Sequence, residues 1–358
     1  MFYVSTRDNS VKVTASKAIA DGISREGGLY IPESIPTLSA DELKGLCNAN
    51  YKERAKKVLG LYLTDFTDEE LSMCVEGAYA DGKFASEYVA PVVKLDDKTN
   101  ILELFRGPTC AFKDMALQIL PHLLTKALKK TGEDKQVVIL VATSGDTGKA
   151  ALEGFKDVEG TKILVFYPVD GVSPMQKLQM TTQEGANVGV CAIEGNFDDA
   201  QTGVKSIFTN QEILDRFEKN NLVFSSANSI NWGRLAPQIV YYISAYADLV
   251  AEGDIKAGEK IDITVPTGNF GNILAAYYAE MMGLPVNKLI CASNKNNILT
   301  DFINTGKYDR NRNFFTTISP SMDILISSNL ERMLFELSGN DDKKIAEIQN
   351  KLATEGRY

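Results

Sequence analysis

One lysine in the chain has neighbours that suit covalent chemistry. A Gly107-Pro108 turn leads into Phe112-Lys113-Asp114, and the apolar residues 115–120 that follow have a helical pattern. Beside an aromatic ring and a helix start, an ammonium group loses hydration and faces the positive end of the peptide dipoles. The neutral amine of Lys113, which is the form that bonds to an aldehyde carbon, therefore becomes more accessible. From these residues alone, an exposed lysine in the first turn of a helix is the competing interpretation.

A second stretch, residues 267–272, has the composition of an anion-binding turn. It follows a predicted strand and opens a predicted helix, and it contains Gly268 and Gly271, which permit close approach of the backbone. Successive N–H groups at a helix start attract an anion such as a phosphate. A tight turn that binds nothing is the alternative, and these residues alone do not decide between the two.

Two further loops combine polar side chains with a predicted helix start. Residues 142–148 present hydroxyl and amide groups that suit a substrate carboxylate, although an ordinary Ser/Thr/Asp cap is the alternative. Residues 227–234 end in Arg234, whose planar guanidinium suits phosphate through paired hydrogen bonds. There the alternative is a turn that Asn228 and Ser229 merely shape.

Short β-rich runs alternate with helical periods from about residue 96 onward. The predicted strands cover residues 137–141, 163–166, 188–193, 222–224, 261–265 and 289–292. The predicted helices cover residues 148–157, 175–182, 198–210, 234–252, 272–282 and 297–304, with Pro237 expected in the first turn of the longest. Such alternation predicts a mostly parallel sheet with helices on both faces, and such sheets bind ligands beyond the carboxyl ends of their strands. The three loops described above fall at those ends.

Residues 1–95 have a different, mainly helical pattern after an N-terminal turn or strand. Ser39 with Glu42, and Thr67 with Glu70, have the spacing of a capping box ahead of apolar-periodic runs. We therefore predict a mainly helical domain over residues 1–95 that serves as a scaffold, followed by a second region over residues 96–358.

Composition narrows the classes of function. The 358 residues are 44% hydrophobic and 24% charged, as in ordinary globular proteins. A net charge of -9 argues against nucleic-acid partners and acidic membranes. The polar start of the chain and the lack of a long apolar run predict neither a signal peptide nor a membrane span. The five cysteines are odd in number and widely spaced, which predicts reduced thiols in a cytoplasmic protein. The single histidine, His122, argues against His-based metal sites and Ser-His-Asp triads. We predict no metal site, and the sequence leaves the oligomeric state open.

Several segments together resemble the threonine synthase family of pyridoxal-phosphate (PLP) enzymes. Gly107-Pro108-Thr109 followed by Phe112-Lys113-Asp114 resembles the cofactor-lysine segment of that family. The likeness extends to Ser5-Thr6-Arg7, Gly27-Gly28-Leu29-Tyr30, Ser173-Pro174-Met175-Gln176, Gly195-Asn196-Phe197-Asp198, Ser319-Pro320-Ser321-Met322-Asp323 and Ser327-Ser328-Asn329-Leu330-Glu331-Arg332. Arg106 departs from the family pattern, in which histidine commonly precedes Gly-Pro-Thr.

This resemblance implies a role for each candidate residue. It makes Lys113 the lysine that forms a Schiff base with PLP. Gly268, Asn269, Phe270, Gly271 and Asn272 correspond to the loop that binds the PLP phosphate, with Gly271 needed for the turn. Ser144 and Thr147 correspond to the substrate-carboxylate loop, and Asn228, Ser229 and Arg234 to the region beside the substrate phosphate.

The resemblance also implies a fold and a reaction. The fold is α/β, PLP fold type II: two parallel-sheet subdomains with helices on both faces, the smaller at about residues 128–215, plus the N-terminal mainly helical domain. The reaction is that of threonine synthase, in which O-phospho-L-homoserine and water give L-threonine and phosphate while Lys113 moves protons at Cα and Cβ. Another fold type II PLP lyase, such as a serine/threonine dehydratase or a β-replacing synthase, is the alternative. A non-catalytic protein that binds a phosphate ligand is a third possibility.

One expectation concerns the end of the chain. Members of the family run on into a segment whose Thr or Ser contacts the pyridine nitrogen of PLP, and nothing near Tyr358 resembles that segment. We therefore expect either that the chain is truncated or that this nitrogen has another partner.

Overall fold

The computed structural model describes residues 1–143, 145–170, 172–195 and 197–358, without the side chains of residues 197, 198, 201, 202, 205 and 209. These residues form two compact units. The first unit comprises Met1–Ala18, Ile23–Asp65 and Ser229–Tyr358, and the second comprises Ile19–Gly22 and Phe66–Asn228. The domain boundary near residue 95 and the subdomain at 128–215 stay predictions.

The strands and helices have the following bounds. The strands are β1 Tyr3–Ser5, β2 Asp8–Val13, β3 Tyr30–Pro32, β4 Val92–Lys94, β5 Asn100–Leu102, β6 Gln136–Ala142, β7 Thr161–Pro168, β8 Val188–Ile193, β9 Leu222–Ser225, β10 Ile261–Pro266 and β11 Val286–Ala292. The helices are α1 Ala15–Asp21, α2 Ala40–Leu46, α3 Tyr51–Tyr62, α4 Asp68–Ala78, α5 Asp114–Leu117, α6 Leu120–Thr131, α7 Asp146–Phe155, α8 Pro174–Thr181, α9 Phe197–Thr209, α10 Gln211–Lys219, α11 Trp232–Glu252, α12 Gly271–Met281, α13 Ile298–Thr305, α14 Leu330–Leu337 and α15 Asp342–Thr354. A short 3-10 helix covers Pro320–Met322.

The second unit is built on a four-stranded sheet in the order β8-β7-β6-β9. Every pair in this sheet is parallel, with Val137 of β6 opposite Thr161 of β7 and Val223 of β9. The central strand β6 is buried along almost its whole length because it is an unbroken run of apolar residues. From β6 the chain crosses through α7 to β7 on one side of β6, while β9 pairs with the other side of β6. The strand order therefore reverses at β6, and parallel sheets bind ligands beside the loop at such a position.

The first unit contains a parallel pair, β10 and β11, and an antiparallel sheet in the order β2-β1-β3. Its core surrounds Trp232 at the start of the long buried helix α11. The Trp232 ring centroid lies 5.4 Å from that of Tyr3, 5.5 Å from that of Tyr62 and 5.9 Å from that of Tyr278. The N-terminal strands are thereby joined to helices from both ends of the chain.

The predicted α/β fold with parallel sheets and an N-terminal helical region is confirmed. Both predicted capping boxes are present, at Ser39 for α2 and at Thr67 for α4. The sequence did not predict a third capping box, in which Asn50 caps α3. Within the described part of the chain, no helix is both long enough and apolar enough to cross a membrane.

The prediction for Pro237 was wrong. Helix α11 begins at Trp232 rather than at residue 234, because the Asn231 side chain caps it by accepting a hydrogen bond of 2.8 Å from the Gly233 N–H. Pro237 is therefore the sixth residue of the helix and lies beyond its first turn. It lacks the N–H that would complete one bond of the helical ladder.

Candidate active site

Lys113 lies in a buried turn of the second unit. The residue immediately precedes the one-turn helix α5 and is 7% exposed. Its Nζ lies 5.1 Å from the centroid of the Phe112 ring. The amine is thus removed from solvent, as predicted, but a helix of four residues has little dipole. Burial, rather than the helix start, sets the environment of this amine.

The carboxylate of Asp114 holds this turn in shape. It accepts hydrogen bonds from the Thr109 N–H at 2.9 Å and the Thr109 hydroxyl at 2.6 Å. A Cβ on Gly107 would lie 2.5 Å from the Asp114 Cβ, so only glycine fits at that position. Burial raises the pKa of Asp114, and the hydrogen bonds from Thr109 offset part of that rise. Sequence reasoning missed this role, although the spacing of Gly-Pro-Thr and Asp was visible.

Asp146, the first residue of α7, pairs with Lys113. The Lys113 Nζ donates to both carboxylate oxygens of Asp146, at 2.7 Å each. The family resemblance assigns Ser144 and Thr147 of this loop to the substrate carboxylate, but it does not include Asp146. The structure supplies a different partner for it, the candidate cofactor lysine.

The rest of the loop after β6 is organised by Thr143. Its hydroxyl oxygen accepts the N–H groups of Gly145 at 2.9 Å and Gly148 at 3.0 Å, so it caps the start of α7. Thr147 is half-buried, and its N–H bonds to Asp146 Oδ1 at 2.9 Å. Lys113, Asp146 and Thr147 therefore lie together, whereas Ser144 lies outside the described residues.

The turn at residues 267–272 lies in the first unit, between β10 and α12. Phe270 has a left-handed backbone, with φ +64°, and its side chain does not cap α12. The left-handed position of the turn is thus occupied by Phe270, and Gly271, which the family resemblance makes necessary for the turn, is the residue that follows it. Gly271 instead allows close packing, because a Cβ there would lie 3.2 Å from Asn329 Nδ2. Gly268 is similarly confined, with Met322 Sδ at 3.2 Å from its would-be Cβ.

Asn272 and Asn269 extend the donor set of this turn. The Asn272 Oδ1 accepts hydrogen bonds from two hydroxyl groups of α11, those of Tyr241 and Tyr242, the latter at 2.6 Å. Because the amide oxygen is engaged, its NH₂ group is the part of the side chain that can donate to a ligand. Asn269 is exposed. The turn thus offers N–H donors from both backbone and side chains at a helix start.

The third candidate region is the start of α11. Arg234 is 4% exposed and lies in the first turn of this helix. Asn228 and Ser229 are half-buried, Asn228 at the end of the second unit and Ser229 in the first. Within the first unit, Asn329 contacts both this region and the 267–272 turn, since its Nδ2 donates to the Ser229 carbonyl at 3.2 Å.

Comparison with known proteins shows the class of enzyme to which the chain belongs. The family model for the threonine synthase N terminus matches residues 2–79, and that for pyridoxal-phosphate dependent enzymes matches residues 91–358. A chain with this fold, a buried lysine and these loops belongs to the PLP-dependent enzymes.

Similarity to individual proteins narrows the family further. Threonine synthase of Pseudomonas aeruginosa is 42% identical over all of this chain and 73% of its own length. The PLP-bound threonine synthase structure from Brucella melitensis superposes with a TM-score of 0.90 at 41% identity, covering 100% of this chain and 74% of that one. Threonine synthase-like 1 of Homo sapiens is 43% identical over 99% of this chain but only 50% of its own length. The chain belongs to the threonine synthase family, and it spans about half the length of the first curated relatives that it matches.

Each unit, taken by itself, offers groups whose chemistry suits one part of the cofactor of this family. PLP carries an aldehyde, which needs an amine, and a phosphate, which needs several hydrogen-bond donors. Lys113 supplies a buried amine. The start of α12 supplies N–H groups that the N-cap side chain does not bond, on an 11-residue helix whose dipole favours an anion.

Proposed function

We propose that this chain carries out the threonine synthase reaction, in which O-phospho-L-homoserine and water give L-threonine and phosphate. The observation that supports this most directly is the buried Lys113 amine, held against Asp146 in a turn that resembles the cofactor segment of the family. The similarity to threonine synthases over the whole chain adds to that support.

Lys113 has two roles in this proposal. Its Nζ is the amine that bonds PLP, and it is also the base that moves protons at the substrate Cα and Cβ. When bound, PLP supplies an aldehyde carbon and an electron sink for a carbanion. Asp146 provides the counter-charge whenever Lys113 is protonated. Phosphate leaves from the substrate Cγ, and the hydroxyl of water adds at Cβ.

The binding roles are likewise proposals. The Gly268, Asn269, Phe270, Gly271 and Asn272 turn takes the cofactor phosphate, because it presents several N–H donors at a helix start. Ser144 and Thr147 take the substrate carboxylate. Asn228, Ser229 and Arg234 take the substrate phosphate, for which the guanidinium of Arg234 is suited.

The partner we propose is this small-molecule substrate, and the compartment is the cytoplasm. The five cysteines are free thiols, which suits a reducing compartment. Cell fractionation with an antibody against the chain tests the location.

The test of function is phosphate release from O-phospho-L-homoserine. We expect release by the wild-type chain that depends on added PLP, and none by Lys113→Ala. Borohydride treatment should attach one reduced cofactor to the peptide that contains Lys113. Lys130→Ala is the matched control, because this lysine pairs with Glu70 elsewhere in the same unit.

The outcomes separate the three candidate functions. Covalent attachment of PLP with turnover of serine or threonine, but not of the phosphate ester, would assign the chain to another fold type II lyase. No attachment of PLP to the wild-type chain would overturn the proposal and leave a ligand-binding role. Equal phosphate release by wild type and Lys113→Ala would remove Lys113 from the chemistry.

A further inference from the structure

We propose that three buried residues, Ser327, Asn329 and Arg332, are positioning residues that hold two candidate binding loops of the first unit in register. The loops are residues 229–234 and residues 268–272, and we call residues 327–332 the clamp. The ligands named for these loops rest on the proposed function, whereas the contacts that hold the loops are seen in the structure. The sequence singled out this segment only as part of a family resemblance.

Asn329 contacts both loops at once. It is fully buried, its backbone N–H donates to the Asn269 carbonyl at 3.1 Å, and its Nδ2 donates to the Ser229 carbonyl at 3.2 Å. Its Oδ1 accepts a hydrogen bond from Arg332 Nη1. The orientation of the amide is fixed, because a guanidinium only donates hydrogen bonds and must meet the oxygen. Rotating the amide would break the bonds to both Arg332 and Ser229.

Arg332 fixes Asn329 and reaches the same loop independently. It is fully buried, and its Nη2 donates to the Ile230 carbonyl at 2.6 Å, while its Nε donates to the Tyr30 carbonyl at 2.9 Å. The rigid fork of an arginine satisfies these acceptors together, whereas a lysine could not. Its charge centre also lies 5.9 Å from the Trp232 ring. The guanidinium is therefore held on several sides.

Ser327 supports the other loop. Its hydroxyl donates to the Gly268 carbonyl at 2.7 Å, and its own N–H is bonded to the Tyr308 hydroxyl at 2.8 Å. Both contacts are buried. Ser327 therefore sets the position of the carbonyl that precedes the N–H donors of the 268–272 turn.

The clamp is anchored at its far side by Glu331. Its carboxylate accepts hydrogen bonds from Arg7 Nε at 2.8 Å, Arg7 Nη2 at 2.7 Å and the Thr6 hydroxyl at 2.6 Å. Glu331 is 3% exposed, whereas the Arg7 side chain is partly exposed, so the carboxylate is buried and the guanidinium is only partly so. The turn between β1 and β2 thus braces the segment that supports both loops.

Two substitutions address the two loops separately. Ser327→Ala removes the hydroxyl that bonds Gly268 but leaves the contacts of Asn329 intact. Asn329→Asp keeps an acceptor for Arg332 and the backbone bond to Asn269, but it removes the donor to Ser229. We expect each variant to loosen a different loop: Ser327→Ala the 268–272 loop, and Asn329→Asp the 229–234 loop. We call this a crossed result.

The first readout is hydrogen–deuterium exchange in the protein without cofactor. Loss of one hydrogen bond should raise exchange about three- to tenfold. The increase should appear at residues 268–272 in Ser327→Ala and at residues 229–234 in Asn329→Asp. Arg332→Lys should raise exchange mainly at 229–234, because it loses the bonds to Ile230 and Asn329.

The second readout is ligand affinity. In Ser327→Ala we expect weaker binding of PLP with an unchanged KM for O-phospho-L-homoserine. In Asn329→Asp we expect the reverse, a raised KM with unchanged PLP binding. Ser338→Ala and Asn350→Asp serve as matched controls. The Ser338 hydroxyl bonds the Phe335 carbonyl and the Asp341 N–H between α14 and α15, and Asn350 is exposed on α15.

The outcomes are distinguishable. Equal loosening of both loops by both variants, together with a matching fall in Tm, would make these residues merely structural and overturn the inference. Unchanged exchange in both variants would also overturn it. Crossed exchange in a wild-type chain that fails to bind PLP would support the clamp and reject the proposed function of the loops.

Discussion

The Lys113 Nζ donates to both carboxylate oxygens of Asp146, each at 2.7 Å. The two side chains are 8% and 19% exposed, so water screens this pair less than it screens a surface pair. An amine that attacks an aldehyde must first leave the pair and lose its proton. An opposite charge at hydrogen-bond distance favours the ammonium form of an amine. Under the proposed function, Asp146 would therefore oppose the capture of PLP by Lys113.

We predict that Asp146→Asn speeds the capture of PLP by Lys113 at pH 7. Asparagine keeps the shape and one acceptor but removes the negative charge that stabilises the ammonium form. Stopped-flow absorbance after PLP is mixed with the cofactor-free protein should show capture several-fold faster than in wild type. Asp215→Asn, at an exposed site on α10, should behave like wild type. Slower capture in Asp146→Asn would contradict this role of Asp146.

Two glycines in helices should respond oppositely to the same substitution. Gly154 lies where α7 approaches α5, and a Cβ there would overlap the Leu117 carbonyl oxygen. Gly45 lies on exposed α2 and has nothing within 4 Å of a would-be Cβ. Gly154→Ala should therefore lower the free energy of unfolding by about 1–3 kcal/mol, whereas Gly45→Ala should raise it by up to about 1 kcal/mol.

Urea unfolding of both variants beside wild type measures these changes. A stabilising effect of Gly154→Ala would show that the close approach of α7 to α5 does not restrict this position. Because α5 follows Lys113 and α7 begins at Asp146, Gly154→Ala should also slow PLP capture. Gly45→Ala should leave capture unchanged.

Much of the fold could be predicted because its signals are local. Apolar runs such as Val137-Val138-Ile139-Leu140-Val141 and capping residues such as Thr67 are marked within a few residues of sequence. The N-terminal sheet could not be predicted in the same way. Its strands pair residues far apart in the chain, such as Tyr3 with Pro32, and β1 is only three residues long.

The candidate site likewise has parts that the local sequence predicts and parts that it does not. The turns that contain Lys113 and Gly268 could be found from their residue types. The supporting contacts could not, because they join a side chain to a distant carbonyl group, as Asn329 joins Ser229 and Arg332 joins Tyr30. No periodicity or spacing marks such a bond.

We predict that Arg234→Lys weakens substrate binding and leaves the cofactor in place. Lysine keeps the charge but loses the planar fork that binds a phosphate through two hydrogen bonds. The KM for O-phospho-L-homoserine should rise about tenfold or more, while PLP binding stays at the wild-type level. Arg216→Lys, at an exposed site on α10, is the control. An unchanged KM would remove Arg234 from the substrate-phosphate site.

Glu336 should make stability depend on pH near neutrality. Burial raises the pKa of this α14 side chain from 4.5 to about 7, and the nearby Tyr278 hydroxyl offsets part of the rise. Between these two values the folded state binds the proton more tightly than the unfolded state does. The contribution of Glu336 to stability is therefore full below about pH 4.5 and is lost as the pH rises through about 7.

The Glu336→Gln variant isolates this contribution, because glutamine is a neutral side chain of the same shape. The Tm of wild type should fall more than that of Glu336→Gln as the pH rises from about 5 to about 8. Other groups with a shifted pKa, such as His122, whose pKa is lowered by burial, are common to both proteins. Glu347→Gln is the control, since the pKa of exposed Glu347 is lowered by Lys351 and its effect lies at lower pH. Parallel curves for wild type and Glu336→Gln would show that the Glu336 carboxyl does not titrate near neutrality.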